Sequence, residues 1–307
     1  MTHDASRCTN KARRLRELIA TQTIVLPGAF NALTAMQIEQ AGFQALYVSG
    51  AALSAARGLP DMGLLSLTET AEEAGTIARS VAIPALADAD TGYGPALNVM
   101  RAVSEFERAG LAAIQLEDQE HPKKCGHLPG KRVIPVLEMA SKVRAAVQAR
   151  SDPSFMIVAR TDARAAHGLE EAVRRGIAYV EAGADALFPE ALESAKEFQA
   201  YAHEMTKAGV KVPLVANMTE FGKTPYLSVS EFESLGYRVI LFPVSTLRAA
   251  AKAVEQLLDE LKARGTQQHW LGRMQTRQQL YDLLRYDEYE RREQESTRNP
   301  KTERRGE

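Results

Sequence analysis

Cysteine is scarce in this chain of 307 residues, which has only Cys8, in a polar N-terminal stretch, and Cys125, in a glycine-rich loop. Small disulfide-stapled domains are far richer in cysteine, so the sequence excludes a disulfide scaffold. A structural zinc site is excluded as well, because too few cysteine and histidine partners lie at ligand spacing. We therefore expect reduced thiols and a cytoplasmic protein.

The chain also lacks an excess of charge and a long apolar run. Its 38 Lys and Arg residues balance 39 Asp and Glu residues, which leaves no electrostatic case for binding nucleic acid or an anionic membrane. Residues 21–38 carry no charge, but Pro27, Gly28 and Asn31 interrupt them, so no transmembrane helix is indicated. The N-terminus has no signal-peptide layout. The expected partner is a small molecule.

Short β-rich runs alternate with segments of helical periodicity along the chain. The predicted strands are residues 23–28, 45–50, 84–90, 113–118, 156–161, 186–190, 213–218 and 238–243. Such alternation predicts parallel strands buried on both faces, and eight units in roughly 250 residues predict a (β/α)8 TIM barrel. The alternative is an open doubly wound sheet, but residues 27–31 after the first strand lack its glycine fingerprint.

The end of the chain extends beyond the predicted barrel. Residues 246–263 and 274–290 have strong helical patterns, and these helices either cap their own barrel or pack on another subunit. Residues 291–307 are dense in charged and polar groups and are expected to be disordered. We therefore predict one domain over residues 1–290 and a charged tail.

Polar residues stand at the carboxyl ends of the predicted strands. They are Ser49, Asp88, Asp90, Glu117, Asp118, Arg160, Asp162, Glu190, Asn217 and Thr219. The active sites of barrels are built at this end, and so many polar groups are expensive to bury without a metal or substrate. The concentration indicates an enzyme.

Asp88 and Asp90 lie two residues apart on one predicted strand, so both side chains can point to the same side. Taken alone, one aspartate of such a pair often caps a helix while the other joins a basic neighbour. Because Glu117 and Glu190 follow nearby strands, a metal site is favoured. Paired carboxylates suit Mg²⁺, which takes few protein ligands and keeps its waters.

Cys125 lies among Lys123, Lys124 and His127 in the loop after the fourth strand. A free cysteine is commonly a small buried apolar residue. Positive neighbours, however, lower a thiol pKa, and a thiol brought towards neutrality is a competent general acid or base. Spacing does not separate this role from that of a nucleophile.

Arg160, Arg248 and Arg277 are candidates to bind a carboxylate with two hydrogen bonds each. A surface role is the more common one for a single arginine. Arg160 lies inside an apolar strand run, which favours a place in the site.

Together these motifs resemble the isocitrate lyase and phosphoenolpyruvate mutase superfamily over residues 12–290. The most specific segments are Asp-Ala-Asp-Thr-Gly-Tyr-Gly at 88–94 and Lys-Lys-Cys-Gly-His at 123–127, which together are typical of its lyase branch. The long insertions of isocitrate lyases are absent. The apolar segments 187–189 and 241–243 look like the pocket wall of the methylisocitrate-cleaving type.

The resemblance implies cleavage of (2R,3S)-2-methylisocitrate, a tricarboxylate, to pyruvate and succinate. It implies that Asp88 and Asp90 hold Mg²⁺, with Glu117 supporting the metal shell. The substrate-binding residues that it implies are Ser49, Gly50, Ala51, Cys125, Gly126, Arg160, Glu190, Asn217, Met218, Thr219, Arg248 and Arg277. It also implies a homotetramer in which a C-terminal helix is exchanged between subunits.

In the implied mechanism Cys125 protonates the succinate carbanion, and the base that removes the hydroxyl proton is Tyr47, Arg160 or a metal-bound hydroxide. The sequence departs from the pattern at Ala51, where glycine is common, and at residues 127–131 of the cysteine loop. Alternatives are a lyase for isocitrate or dimethylmalate, an oxaloacetate-type decarboxylase or hydrolase, and a metabolite-binding barrel without turnover.

Overall fold

A computed structural model describes the backbone of residues 5–297 and the side chains of residues 11–297. All eight predicted strands are confirmed, each to within about two residues at either end. They are β1 Ile24–Pro27, β2 Leu46–Val48, β3 Ala85–Asp88, β4 Ala113–Glu117, β5 Met156–Thr161, β6 Ala186–Pro189, β7 Leu214–Asn217 and β8 Tyr237–Phe242.

The strands form one parallel sheet in the order β1-β8-β7-β6-β5-β4-β3-β2. Its two edge strands meet through a parallel bridge between Gly28 and Tyr47, where the Ala29 amide donates to the Tyr47 carbonyl at 2.8 Å. The sheet therefore closes on itself, and the predicted (β/α)8 TIM barrel is confirmed.

Helices follow the strands, as the periodicity predicts. They are α1 Ala5–Thr21, α2 Ala32–Gln40, α3 Gly50–Ala56, α4 Leu67–Arg79, α5 Ala96–Ala109, α6 Val136–Ala149, α7 Ala163–His167, α8 Leu169–Glu181, α9 Ala195–Lys207, α10 Val229–Ser234, α11 Ser245–Arg264, α12 Arg277–Leu284 and α13 Tyr286–Thr297, with a 3₁₀ helix at Gln268–Arg273. Among residues 5–297 no helix is long and apolar enough to cross a membrane.

Apolar side chains fill the barrel from its amino end. Leu15 and Ile19 of α1 pack with inward-facing strand residues such as Leu26, Met156 and Val239, and all five are buried. A second layer of apolar side chains joins the strands to the surrounding helices. Because α1 closes the amino end, the polar strand ends are left at the carboxyl end, where a site is expected.

The chain divides into two compact units, residues 1–249 and residues 250–307. In the second unit Tyr281 and Tyr286 stack with their ring centroids 4.7 Å apart. The tail predicted for residues 291–307 begins inside α13, and residues 298–307 lie outside the described part of the chain. The domain boundary at residue 290 therefore stays a prediction.

Candidate active site

A cavity opens at the carboxyl end of the barrel and brings most of the predicted site residues together. Its lining includes Tyr47, Ser49, Ala51, Asp88, Cys125, Gly126, Arg160, Glu190, Asn217, Thr219 and Arg248. These residues come from strand ends and from the segments that follow the strands, and they extend along the chain from Tyr47 to Arg248. The barrel closure brings them to one place.

Asp88 ends β3 and lies beside Gln115 of β4 in the sheet register. The side-chain amide of Gln115 donates to Asp88 Oδ1 at 3.2 Å, and the Asp90 and Gly50 backbone amides donate to the Asp88 carboxylate at 3.0 and 3.4 Å. Burial and the neighbouring Asp90 charge raise the pKa of Asp88 to about 6. This carboxylate is short of positive charge.

Glu117, the last residue of β4, is 1% exposed, and neither of its carboxylate oxygens has a hydrogen-bond partner. Its nearest cation is Arg160, whose Nε lies 3.4 Å from Glu117 Oε2. Burial raises the pKa of Glu117 well above its usual value, although Arg160 opposes this. A buried carboxyl without hydrogen bonds is costly unless a cation or an ordered water satisfies it.

These carboxylates fit a hydrated cation better than a fully dehydrated one. Within residues 11–297, no group of three or more His, Cys, Asp or Glu side chains is placed to hold an ion by itself. A metal at Asp88 and Asp90 would therefore complete its shell with water or substrate oxygens. Ions that keep their water bind in this way.

Lys123 contacts the carboxylates of the site rather than the thiol. The sequence predicts that Lys123 lowers the pKa of Cys125, but its buried ammonium lies 2.7 Å from Asp90 Oδ1 and also contacts Asp61. Burial by itself would lower the pKa of Lys123, but Asp90, Glu117 and the other acids raise it well above its usual value. Lys123 thus balances part of the negative charge of Asp90 and the neighbouring carboxylates.

Arg160 and Glu190 form the opposite side of the site on β5 and β6. Arg160 Nε donates to Asp162 at 2.9 Å, and its guanidinium lies 5.3 Å from the centre of the Phe188 ring. Glu190 Oε1 lies 3.0 Å from His127 Nε2. Burial opposes the charge of Glu190, but Arg160 and His127 lower its pKa well below the usual range, so Glu190 is ionised.

Cys125 faces the cavity, as predicted, but the expected pKa shift is wrong in direction. Burial raises the pKa of the thiol above its usual value, and a backbone hydrogen bond from His127 only partly opposes this. The thiol therefore keeps its proton near neutral pH. Next to it, a Cβ on Gly126 would collide with the Glu190 and Arg160 side chains, so only glycine fits there.

Tyr47 is buried in β2, and its hydroxyl donates to Gln115 Oε1 at 2.7 Å. Burial and the Asp88 charge raise its pKa well above the usual value. Arg248 lies on the opposite rim, half-exposed, 3.6 Å from Glu220 and over the Phe221 ring. Tyr47 is thus buried and hydrogen-bonded, whereas Arg248 is half-exposed at the cavity and paired with an acid.

The remaining predicted residues lie in different surroundings. Ser49 caps α3, accepting a hydrogen bond from the Ala52 amide at 3.4 Å. Met218 is buried among apolar side chains, and it is not one of the described residues that line the cavity. Arg277 begins α12 in the second unit, so its place in the site stays a prediction.

Sequence reasoning missed Gln115 and the pairing of His127 with Glu190. Gln115 carried a usable signal, because a glutamine inside a continuous apolar strand run must find buried partners. The loop residue His127 carried none, since its partner lies 63 positions further along the chain.

The barrel and its open end define a class of enzyme. One side of the cavity offers carboxylates whose charge the chain balances only in part, and the other offers a buried arginine beside a protonated thiol. These are the parts of a metal-dependent enzyme that stabilises negative charge next to a carboxylate and then protonates it.

Comparison with known proteins identifies the family. Residues 15–262 match the phosphoenolpyruvate phosphomutase family, and the chain belongs to it. The chain is 52% identical over 285 residues to the 2-methylisocitrate lyase of Aeropyrum pernix, with 92% of this chain and 90% of that one covered. The resemblance inferred from the sequence motifs is confirmed.

Solved structures agree with this assignment. The crystal structure of 2,3-dimethylmalate lyase matches with a TM-score of 0.85 at 34% identity, covering 95% of each chain. Phosphonopyruvate hydrolase in complex with oxalate and Mg²⁺ matches with a TM-score of 0.82 at 33% identity, covering 92% of this chain and 96% of that one. The chain is therefore a carbon–carbon lyase of a metal-dependent family.

Proposed function

We propose that this chain cleaves 2-methylisocitrate, a tricarboxylate, to pyruvate and succinate, in the methylcitrate route of propionate catabolism. The observation that carries the proposal is the 52% identity with a 2-methylisocitrate lyase along nearly the whole chain. A protonated Cys125 in the same cavity as Arg160 supports it. The related 2,3-dimethylmalate lyase makes dimethylmalate the second candidate substrate.

The proposed cofactor is Mg²⁺, held by Asp88 and Asp90 with Glu117 supporting its shell. The structure of phosphonopyruvate hydrolase with Mg²⁺ and the unpaired oxygens of Glu117 support this choice. When bound, the ion would supply a Lewis acid that lowers the pKa of the substrate hydroxyl and stabilises the forming keto acid.

The proposed substrate contacts divide by charge. Arg160, Arg248 and Arg277 bind carboxylates, because guanidinium groups match them with paired hydrogen bonds. The polar and backbone groups that complete the proposed binding set are Ser49, Gly50, Ala51, Gly126, Glu190, Asn217, Met218 and Thr219. The apolar side chains of Phe188 and Leu241 line the same cavity and offer a surface for the extra methyl group.

Tyr47 and Arg160 are assigned here to binding rather than to proton abstraction. The pKa of each is raised well above its ordinary value, so both keep their protons near neutral pH. Tyr47 also already donates its hydroxyl proton to Gln115. Arg160, as a cation, stabilises negative charge on the substrate, whereas Tyr47 holds Gln115 in place beside Asp88.

Cys125 is the proposed proton donor. When the substrate hydroxyl loses its proton to solvent water, the C–O bond becomes the carbonyl of pyruvate and the neighbouring C–C bond breaks. Its electron pair passes to the succinate half, next to a carboxylate. The S–H bond of Cys125 then breaks, the proton forms the new C–H bond of succinate, and the thiolate regains a proton from solvent.

The substrate is tested by measuring 2-oxo-acid release from the three candidates side by side, with Mg²⁺ and with EDTA: pyruvate from 2-methylisocitrate and dimethylmalate, and glyoxylate from isocitrate. We expect 2-methylisocitrate to be preferred and turnover to require the metal. Discrimination by one methyl group is worth about 1–3 kcal/mol, so weaker turnover of the others is compatible. A preference for dimethylmalate, or for oxaloacetate in a parallel assay, would contradict the proposal.

The role of Cys125 is tested by Cys125→Ser. A hydroxyl is a far weaker acid than a thiol, so we expect turnover to fall by about 10²–10⁴-fold, the usual contribution of a general acid. Mg²⁺ binding and the unfolding temperature are expected to stay unchanged. Cys8→Ser is the matched control, and near-normal turnover of Cys125→Ser would remove the assignment.

We further propose a cytoplasmic homotetramer that exchanges a C-terminal helix. In the second unit Val254, Leu258 and Leu261 of α11 are exposed at helical spacing, and a row of apolar side chains of this kind favours a covered face. Sedimentation equilibrium measures the mass directly. A monomer at micromolar concentration would contradict this assembly.

A further inference from the structure

Two buried side chains outside the proposed reacting set hold the segment that carries Cys125. Gln119 precedes the segment and is 2% exposed, and Lys131 follows it and is 7% exposed. Neither belongs to the substrate or metal residues proposed above. Both are polar groups whose burial requires partners.

Gln119 binds the backbone of Lys124 with both ends of its amide. Its Nε2 donates to the Lys124 carbonyl at 2.9 Å, and the Lys124 amide donates to Gln119 Oε1 at 3.0 Å. One side chain therefore satisfies both backbone polar groups of the residue that precedes Cys125. This pairing fixes the direction in which the chain enters Cys125.

Lys131 holds the other side of the segment. Its buried ammonium donates to the Gly126 carbonyl and to Asp162 Oδ1, the latter at 2.6 Å. Asp162 in turn binds Arg160, whose Nε donates at 2.9 Å. A single cation thus joins the cysteine loop to the end of β5 and to the arginine of the site.

The base of the loop is closed by other bonds. The Glu120 amide donates to the Arg132 carbonyl at 2.9 Å, and Gln119 pairs with Val133 in an antiparallel bridge. These backbone bonds do not need the side chains of Gln119 or Lys131. Removing either side chain would therefore loosen Lys124–Gly126 while the base of the loop stays in place.

We propose that Gln119 and Lys131 are positioning residues that hold Lys124–Gly126 from its two sides and so set the position of the Cys125 thiol. The proposal rests on the role given above to Cys125. A misplacement of about 1 Å at a reacting group costs about 10²-fold in rate. Two side chains that contact no substrate therefore control turnover.

The test measures alkylation of Cys125 by iodoacetamide in a Cys8→Ser background, as a function of pH, by intact mass. The plateau rate reports access to the thiol, and the midpoint reports its pKa. For Gln119→Leu and Lys131→Met we expect the plateau to rise about tenfold, as the loss of buried hydrogen bonds frees the loop. The midpoint is expected to fall, because burial is the main reason that the pKa of Cys125 is raised.

Turnover separates the two residues. Gln119→Leu is expected to lower kcat with little change in KM, because it disturbs only the position of the thiol. Lys131→Met is expected to lower kcat and raise KM, because Asp162 and Arg160 lose a neighbour as well. Gln119→Glu is the second variant if Gln119→Leu folds poorly. It keeps the bond from the Lys124 amide and loses the other, so its alkylation plateau is expected to lie above that of the parent and below that of Gln119→Leu.

Lys142→Met is the matched control for losing a buried lysine. Lys142 is 6% exposed and donates to the Thr91 carbonyl at 3.0 Å, outside the cysteine loop. The alkylation plateau of Cys125 in Lys142→Met is expected to equal that of the parent. Parental plateaus and parental kcat in both Gln119→Leu and Lys131→Met would overturn the positioning roles.

Failure of the proposed function gives a different result. If Cys125→Ser turns over normally, the thiol is not the acid, but alkylation still measures whether Gln119 and Lys131 hold the loop. If Cys125→Ser is inactive while Gln119→Leu and Lys131→Met behave like the parent, only the positioning roles are lost.

Discussion

The carboxyl groups on the two sides of the cavity have pKa values that are shifted in opposite directions. At the ends of β3 and β4, burial raises the pKa of Asp88 and of Glu117. At the end of β6, the pKa of Glu190 is lowered, because Arg160 and His127 face it. On the second side the cations of the chain offset the carboxylate, whereas on the first side Lys123 offsets only part of the negative charge. The comparison indicates which side a metal ion completes.

The largest expected effect follows from removing a carboxylate on the metal side. Asp88→Ala deletes an acid whose charge the surrounding protein does not balance, so we expect Mg²⁺ binding to be lost and turnover to fall on the order of 10³-fold or more. Isothermal titration calorimetry and the pyruvate assay measure both effects. Asp185→Asn, which alters an ion-paired aspartate before β6, is the control that keeps Mg²⁺ binding. Unchanged Mg²⁺ affinity in Asp88→Ala would break the comparison.

Stability gives the next largest effect, with opposite signs on the two sides. Glu190→Gln removes the charged partner of His127 and one of the three acids around Arg160, so we expect a loss of roughly 3 kcal/mol in the free energy of unfolding. Asp88→Asn removes a buried charge that Asp90 repels, so we expect a gain of roughly 1–2 kcal/mol in EDTA. Urea unfolding of the metal-free protein measures both. Destabilisation of similar size in both variants would show that the sides do not differ.

The pH dependence of metal binding is the smallest of the three effects. The pKa of Asp88 is about 6 in the metal-free fold, against 3.8 for a free aspartate. Below pH 6 a proton occupies the carboxylate, so Mg²⁺ affinity is expected to fall about tenfold per pH unit. The same raised pKa makes the metal-free fold lose stability as pH rises from 4 to 6. Calorimetric titrations between pH 5 and 8 measure the affinity, and a flat profile would contradict the shift.

The barrel was predictable because its strands are short apolar runs at regular spacing. Asp88, Glu117 and Arg160 follow from the same pattern, since each ends or lies within such a run, and the ends of parallel strands meet at one face. These carboxylates and the arginine were therefore expected in one cavity before any contact was known.

The loop around Cys125 was less predictable, because its contacts depend on burial and on distant residues. Neighbouring lysines suggested a lowered thiol pKa, but Lys123 turns to Asp90 and burial raises the pKa instead. The ion pair between Lys131 and Asp162 joins positions that lie 31 residues apart in the sequence. Spacing along a chain does not reveal which cation faces which acid.

The close approach of Gly126 has a consequence for redesign. A side chain at this position would meet the side chains of Glu190 and Arg160, so the cavity wall there is formed by backbone alone. A library that varies this position is expected to return only glycine among active clones. New substrate preferences are expected to come instead from changes at Phe188 and Leu241, the apolar side chains that line the same cavity.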